Sequence, residues 1–224
     1  MNSEVRIGLR GVETLWEITV LRHYLDSMEE QLQESNRTAR MQLCGELQVG
    51  SKESYDEFLS YVQLHDGFYD EQLRTLRFSF MVRAHILFET HIRSFCRALR
   101  VDRAIPVGFR ELNGNPVEKA KVFCTKLISL LPEDHACWPA LRELQLVRNC
   151  IVHTYGSLEG FGEPKALRAL AAKHIGVSVQ DEMLAIENVF CRHALAVVHD
   201  FFRNTFRAAG WKRCDVELRS ECSG

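Results

Sequence analysis

The chain carries almost no excess charge and no long apolar run, and both absences exclude classes of function. Its 28 basic and 30 acidic residues leave a net charge of −2 at pH 7. The chain as a whole therefore does not attract nucleic acid, and any RNA contact must depend on local arginines. No apolar run approaches the roughly 18 residues that a membrane-spanning helix needs. Residues 1–6 also lack the apolar core of a signal peptide, so we expect a cytoplasmic protein without membrane association.

Closely spaced cysteines are absent as well. The eight cysteines include no C-x-x-C pair, which argues against the common zinc and redox signatures. Most lie in helical apolar runs, such as Val122-Phe123-Cys124 and Val189-Phe190-Cys191, where a free thiol behaves as a small hydrophobe. We expect neither a bound metal nor a cofactor.

What the sequence does contain is helical periodicity. Near the N-terminus, apolar residues recur every three or four positions, as in an amphipathic helix. The repeat consists of Ile18, Leu21, Leu25, Met28 and Leu32. This helix could pack on the body of the protein or pair with another chain, and packing is the favoured interpretation. A second helical region is predicted from about Tyr55 to Leu99, with a break near Gly67.

Proline is scarce, and all five prolines lie between residues 106 and 164, where they separate helices. Asn115-Pro116 predicts an N-cap and first helical position, opening a helix that closes before Pro132. Pro139 to Gly156 predicts the next helix, and a last one is expected from about Gln180 to Ala209. Only Ile175 to Val179 resembles a strand.

These patterns predict an all-α fold in which the helices form an antiparallel bundle. We expect an N-terminal helical extension over residues 1–50, the bundle over residues 51–210 and a C-terminal tail over residues 211–224. A chain of 224 residues is long enough to bury a substantial core.

The stretch with the clearest chemical content is Arg148-Asn149-Cys150-Ile151-Val152-His153, an R-N-x-x-x-H run on the last two turns of a predicted helix. An arginine can hold a phosphate, and a histidine can move a proton near neutral pH. Together with the amide of Asn149, they form a set that can cleave RNA without a metal. The stretch is therefore the predicted site.

The Arg–His spacing alone is weak evidence. With 21 arginines and nine histidines, about one R-x4-H pair is expected by chance. A gap of four to six residues also admits Arg168 to His174 and Arg192 to His199. Requiring an asparagine directly after the arginine lowers the chance expectation to about three in a hundred. Arg148 alone meets that requirement.

Helical geometry separates the motif from the predicted core. The core face is expected to carry Ala140, Leu144, Val147 and Ile151. Asn149 and His153 lie roughly 150–170° away from it, with Arg148 at the edge. Arg142, Leu146 and Cys150 are expected on or near the histidine side, which suits a cleft or a subunit interface. The structural alternative is that His153 is a helix C-terminal cation and Arg148 a surface residue.

At this point the residues resemble a family. R-N-x-x-x-H at the end of a bundle helix resembles the R-x4-6-H motif of HEPN domains, in which a polar residue, often asparagine, follows the arginine. The segment from Phe88 to Cys96 resembles an earlier bundle helix of the longer HEPN proteins of bacterial defence systems. Leu141 to Leu144 and the helix end Phe201 to Asn204 fit the same layout. The resemblance covers roughly residues 55 to 208, and the first 50 residues have no equivalent in it.

The resemblance implies a bundle that dimerises so that two copies of the motif line one cleft. It implies a metal-independent endoribonuclease that acts as a toxin or phage-defence effector, with an antitoxin or nucleotidyltransferase as partner. Carried over by position, Arg148 would hold the scissile phosphate, and His153 would act as general base or acid for attack by the ribose 2′-hydroxyl. Asn149 would orient the histidine or the phosphate, and the product would be a 2′,3′-cyclic phosphate.

Four further residues belong to this hypothesis. Glu89, His91 and Arg93 are candidates for lining the same cleft, although a face of this kind is more often merely ion-paired. Tyr155 completes R-x4-H-x-Y, as in HEPN toxins that a nucleotidyltransferase partner silences by adenylylating this tyrosine. A capping aromatic beside Gly156 is the favoured interpretation of Tyr155. The alternative function is a non-catalytic helical module that binds RNA, a nucleotide or a partner protein.

Overall fold

The computed structural model describes the backbone of residues 3–46 and 52–211 and the side chains of residues 11–42 and 59–211. Within these ranges the chain is mostly helical, which confirms the all-α class. The elements are α1 (Ser3–Glu46), α2 (Lys52–Asp102), a 3-10 turn (Phe109–Glu111), α3 (Pro116–Val122), a π-helical turn (Phe123–Leu127), α4 (Cys137–Thr154), α5 (Pro164–Lys173), β1 (Val177–Gln180), β2 (Met183–Ile186) and α6 (Asn188–Ala208). The predicted boundary at residue 50 and the tail beyond residue 211 lie outside the described residues.

The start of α3 confirms the prediction made from Asn115-Pro116. The side chain of Asn115 accepts a hydrogen bond from the backbone N–H of Glu118 at 2.9 Å, and Glu118 Oε2 accepts one from the backbone N–H of Asn115 at 3.1 Å. Pro116 occupies the first helical position, where its missing N–H has no cost. Such a capping box contributes about 1 kcal/mol to helix stability.

The predicted break near Gly67 is wrong, because α2 runs without interruption from Lys52 to Asp102. Gly67 is exposed, and a Cβ atom added there would meet nothing within 4 Å. Glycine costs a helix only about 1 kcal/mol relative to alanine. A cost of this size does not interrupt a helix of 51 residues.

The predicted start of the last helix is also wrong, because a β-hairpin precedes α6. Its strands pair antiparallel, from Val177 opposite Ile186 to Gln180 opposite Met183. Asp181 and Glu182 form the two-residue turn, with φ values of 47° and 61°, as a primed hairpin turn requires. The strand predicted at Ile175 to Val179 is present but lies slightly later in the chain.

The described parts of the chain divide into two compact units. The first contains residues 3–19, 83–147 and 193–211, and the second contains residues 20–46, 52–82 and 148–192. In the first unit, aromatic rings from α2, α4 and α6 pack edge to face. Ring centroids lie 5.4 Å apart for Phe88 and Phe201, and 5.6 Å apart for Trp138 and Phe201. Each such pair stabilises the fold by about 0.5–1.5 kcal/mol beyond the contribution of its buried area. These contacts form the centre of that unit.

In the second unit, Arg77 joins three elements. Its Nε donates to Glu29 Oε1 at 2.8 Å and its Nη1 donates to the carbonyl oxygen of Ile186 at 3.2 Å. Glu29 is only 5% exposed, so this ion pair is largely shielded from solvent. One guanidinium thereby connects α1, α2 and β2.

Candidate functional site

Helix α4 places the predicted site residues in its last two turns, as the sequence predicts. The helix ends in two residues with left-handed backbone, Tyr155 at φ 53° and Gly156 at φ 83°. The N–H of Gly156 returns to the carbonyl oxygen of Cys150 at 3.2 Å and that of Tyr155 to Ile151 at 2.9 Å. Carbonyls that a helix end would leave unsatisfied are therefore paired. His153 lies directly before this fixed turn.

Arg148 and Asn149 contact each other through their side chains. Arg148 Nη1 donates a hydrogen bond to Asn149 Oδ1 at 3.0 Å, and both residues are half-buried. The Nε atom of Arg148 is shielded from solvent and has no hydrogen-bond partner among the described residues. A guanidinium has five donor hydrogens. Because its recorded partner is a neutral amide, the positive charge of Arg148 is oriented but not neutralised.

His153 is exposed. Among the side chains of residues 11–42 and 59–211, none forms a recorded hydrogen bond or ion pair with its ring. Neither ring nitrogen is thus committed to holding the local fold, and the imidazole can meet a substrate or a second chain. Arg148, Asn149 and His153 all belong to the second unit.

The core face of α4 agrees with the prediction in most positions. Leu144, Val147 and Ile151 are buried, whereas Ala140 is only half-buried. Cys150, expected near the histidine side, is fully buried, and its Sγ lies 3.6 Å from both Thr154 Oγ1 and the carbonyl oxygen of Ser157.

Burial raises the pKa of the Cys150 thiol above its usual range. A raised pKa keeps the sulfur protonated near neutral pH, so Cys150 is not a nucleophile there. The motif residues that remain accessible for chemistry are therefore Arg148, Asn149 and His153.

Tyr155, two residues beyond His153, is held by three side chains of α2. The guanidinium carbon of Arg74 lies 4.6 Å from the centroid of the tyrosine ring, and Phe78 meets this ring edge to face at 6.1 Å. The phenol hydroxyl donates to Glu71 Oε1 at 3.3 Å. Hydrogen bonds from Arg74 lower the pKa of the Glu71 carboxyl. Tyr155 therefore has a fixed position at the end of the motif helix.

Sequence reasoning did not identify Glu71 and Arg74. They form a local i,i+3 ion pair on α2, a pattern too common to indicate a site. Their connection to Tyr155 spans about 80 positions of the chain and comes only from the tertiary fold. No spacing rule could have found it.

The candidate cleft residues Glu89, His91 and Arg93 belong to the first unit, unlike the motif residues. Glu89 and Arg93 form an i,i+4 ion pair. His91 is buried; its Nδ1 lies 3.0 Å from Thr14 Oγ1 and its Nε2 lies 3.3 Å from Glu17 Oε2. Both of its ring nitrogens thus have partners within that unit. A role of these three residues in a cleft stays a prediction.

A separate open groove of about 490 Å³ lies in the second unit. Its walls come from the C-terminal half of α1 and from Tyr69 of α2, and include the amides of Gln33 and Asn36 and the guanidinium groups of Arg37 and Arg40. Arg40 is paired with Asp66 at 3.1 Å. The groove thus carries local positive charge, although the net charge of the whole chain is −2.

Within residues 3–46 and 52–211, no group of three or more histidine, cysteine, aspartate or glutamate side chains is arranged to hold a metal ion. No helix in these ranges has an apolar stretch sufficient to span a bilayer. Comparisons of the chain with protein-family models, with curated proteins and with solved structures give no match.

Proposed function

We propose that the protein is a metal-independent endoribonuclease of HEPN type that acts in the cytoplasm as a toxin or phage-defence effector. The proposal rests on the orientation of the Arg148 side chain by Asn149 and on the exposure of His153. The guanidinium of Arg148 is oriented by a neutral amide and has no acidic partner among the described side chains. Five residues later on the same helix, His153 is exposed. An oriented cation and an accessible imidazole on one helix can supply the charge stabilisation and the proton transfer of metal-independent phosphodiester cleavage.

In the proposed reaction, His153 removes the proton of a ribose 2′-hydroxyl, and the 2′-oxygen attacks the adjacent phosphorus. The bond from phosphorus to the 5′-oxygen then breaks, and that oxygen takes a proton from a general acid. Arg148 stabilises the charge that develops on the phosphate oxygens, and Asn149 keeps its guanidinium oriented. The products are a 2′,3′-cyclic phosphate and a 5′-hydroxyl.

The proposal includes a HEPN-like bundle that forms a homodimer. Each chain offers one His153, whereas the reaction needs both a base and an acid. Two copies of the motif in one cleft would supply both groups. An antitoxin or nucleotidyltransferase partner, with Tyr155 as the modified residue, belongs to the same proposal.

The balanced charge of the chain favours a second candidate, a non-catalytic helical module that binds RNA, a nucleotide or a protein. A nuclease that grips a long substrate usually presents a basic surface, and the net charge here is −2. This candidate predicts binding without cleavage. Binding would survive His153→Ala but weaken on Arg37→Ala in the α1 groove.

The test is RNA cleavage in excess EDTA by the parent, Arg148→Ala and His153→Ala. Arg168→Ala and His174→Ala serve as matched controls, because this pair also satisfies the four-to-six-residue spacing but lacks the asparagine. We expect the parent and both controls to cut, and each motif variant to lose at least about 100-fold in rate. If the motif variants cut as fast as the parent, the assignment is wrong.

A further inference from the structure

Tyr155 combines a fixed position with an exposed ring. Contacts with Arg74, Phe78 and Glu71 hold it in place, yet 54% of the residue remains exposed. Aromatic side chains that are held this firmly are usually buried, because burial is what stabilises them. An immobilised but exposed ring is suited to binding something planar.

The backbone shows that this position is enforced. A tyrosine at φ 53° occupies a region that costs a non-glycine residue about 1–2 kcal/mol. The neighbouring Gly156 cannot be replaced cheaply, because a Cβ atom there would come within 2.7 Å of the Phe78 ring. The turn that presents Tyr155 is therefore fixed by α2.

One face of the tyrosine ring carries the Arg74 guanidinium, and Phe78 meets the ring at an interplanar angle of 82°. No second cation or ring stacks on Tyr155 among the described side chains. The charge of Arg74 is compensated by a two-pronged pair with Glu71, at 2.8 Å for each bond. Because more than half of Tyr155 is exposed, its ring offers an aromatic surface beside a nearly neutral pair, which suits a base better than a phosphate.

We propose that Tyr155 is a stacking platform for an unpaired base of single-stranded RNA, next to the phosphate handled by Arg148 and His153. The inference deepens the proposed function and rests on it. Bases in single strands are free to stack on aromatic side chains, whereas bases within a duplex are already stacked on each other. The platform therefore specifies single-stranded RNA, or an unpaired loop, as the substrate class.

The experiment measures binding of a short single-stranded RNA that carries a fluorescent adenine analogue, 2-aminopurine, whose emission is quenched by stacking. The His153→Ala protein is used throughout, so that RNA stays intact. Into it are introduced Tyr155→Phe, which keeps the ring, and Tyr155→Asn, which removes it while tolerating the left-handed backbone. Tyr61→Ala is the matched control, since Tyr61 is an aromatic residue of α2 with 56% exposure.

We expect Tyr61→Ala to bind and quench as the His153→Ala protein does. Tyr155→Phe keeps the ring but loses the hydrogen bond to Glu71, so it should retain most of the binding and quenching. Tyr155→Asn should bind about tenfold or more weakly and lose most of the quenching. An unchanged melting temperature of Tyr155→Asn would show that its fold is retained. Arg74→Gln is a second variant, which keeps the ring but removes the guanidinium that lies over it. That variant should bind more weakly than the His153→Ala protein.

Undiminished binding and quenching by Tyr155→Asn would overturn the platform even if the parent cleaves RNA. Tyr155-dependent quenching by a protein whose parent form does not cleave would keep the platform and overturn the nuclease. Absence of RNA binding in every variant would overturn both.

Discussion

Arg148 Nη1 donates a hydrogen bond to Asn149 Oδ1 at 3.0 Å, although consecutive residues on a helix point about 100° apart. The long arginine side chain reaches round to its neighbour, which pulls the guanidinium toward the side of α4 that carries Asn149 and His153. The adjacent asparagine therefore has a physical role in the motif. It orients the cation toward the histidine side without cancelling its charge.

The Arg148–Asn149 hydrogen bond predicts how strongly two substitutions of Asn149 slow RNA cleavage. Asn149→Ala removes the acceptor and leaves Arg148 less oriented, so we expect RNA cleavage to slow about tenfold. Asn149→Asp keeps an acceptor but adds a negative charge that competes with the substrate phosphate for Arg148, so the loss should be larger. Single-turnover cleavage rates measure both effects. Cleavage by Asn149→Ala at the parent rate would contradict the orienting role, and faster cleavage by Asn149→Asp than by Asn149→Ala would contradict the competition for Arg148.

The Glu29–Arg77 pair predicts where the second unit is most sensitive to mutation. Glu29→Ala would leave a largely buried guanidinium with one partner fewer, and we expect the free energy of unfolding to fall by about 2–4 kcal/mol. Arg40→Ala breaks the exposed pair with Asp66, and it should change the free energy of unfolding by less than about 1 kcal/mol. Urea unfolding compares the two variants. Similar losses in both would show that burial does not set the strength of the Arg77 contacts.

Cys150 lies inside the motif but should take no part in the chemistry. Burial raises the pKa of its thiol, so the reactive thiolate is scarce until the pH rises toward that raised value. We expect iodoacetamide at pH 7.5 to leave Cys150 unmodified in the native protein and to modify it after unfolding. Peptide mass spectrometry distinguishes the two states. Rapid native modification of Cys150 would show that the end of α4 opens readily.

The parts of the fold that follow from local patterns could be predicted, and the parts that depend on distant contacts could not. Asn115-Pro116 is a local signal and placed the start of α3 correctly. The hairpin before α6 was missed because its turn is Asp181-Glu182, not an asparagine–glycine or aspartate–glycine pair. Leu184 and Ile186 also fit a helical continuation of α6, so periodicity could not separate the two structures.

The same division holds at the candidate site. The position of the motif in the last turns of α4 and the location of His153 away from the core face follow from helical geometry, and both were predicted. Cys150 was placed too near the histidine side because the buried face of α4 is wider than a narrow stripe. The support of Tyr155 by Glu71 and Arg74 depends on how α2 packs against the end of α4, which no local pattern encodes.

The chemical form of the cleaved RNA ends shows whether the 2′-hydroxyl is the nucleophile. A defined single-stranded RNA is incubated with the parent protein in EDTA, with the His153→Ala protein as the blank, and the fragments are weighed by mass spectrometry. With the parent we expect fragments that end in a 2′,3′-cyclic phosphate and a 5′-hydroxyl, and with the variant we expect intact RNA. Fragments with a 3′-hydroxyl and a 5′-phosphate, or equal cleavage by the variant, would contradict it.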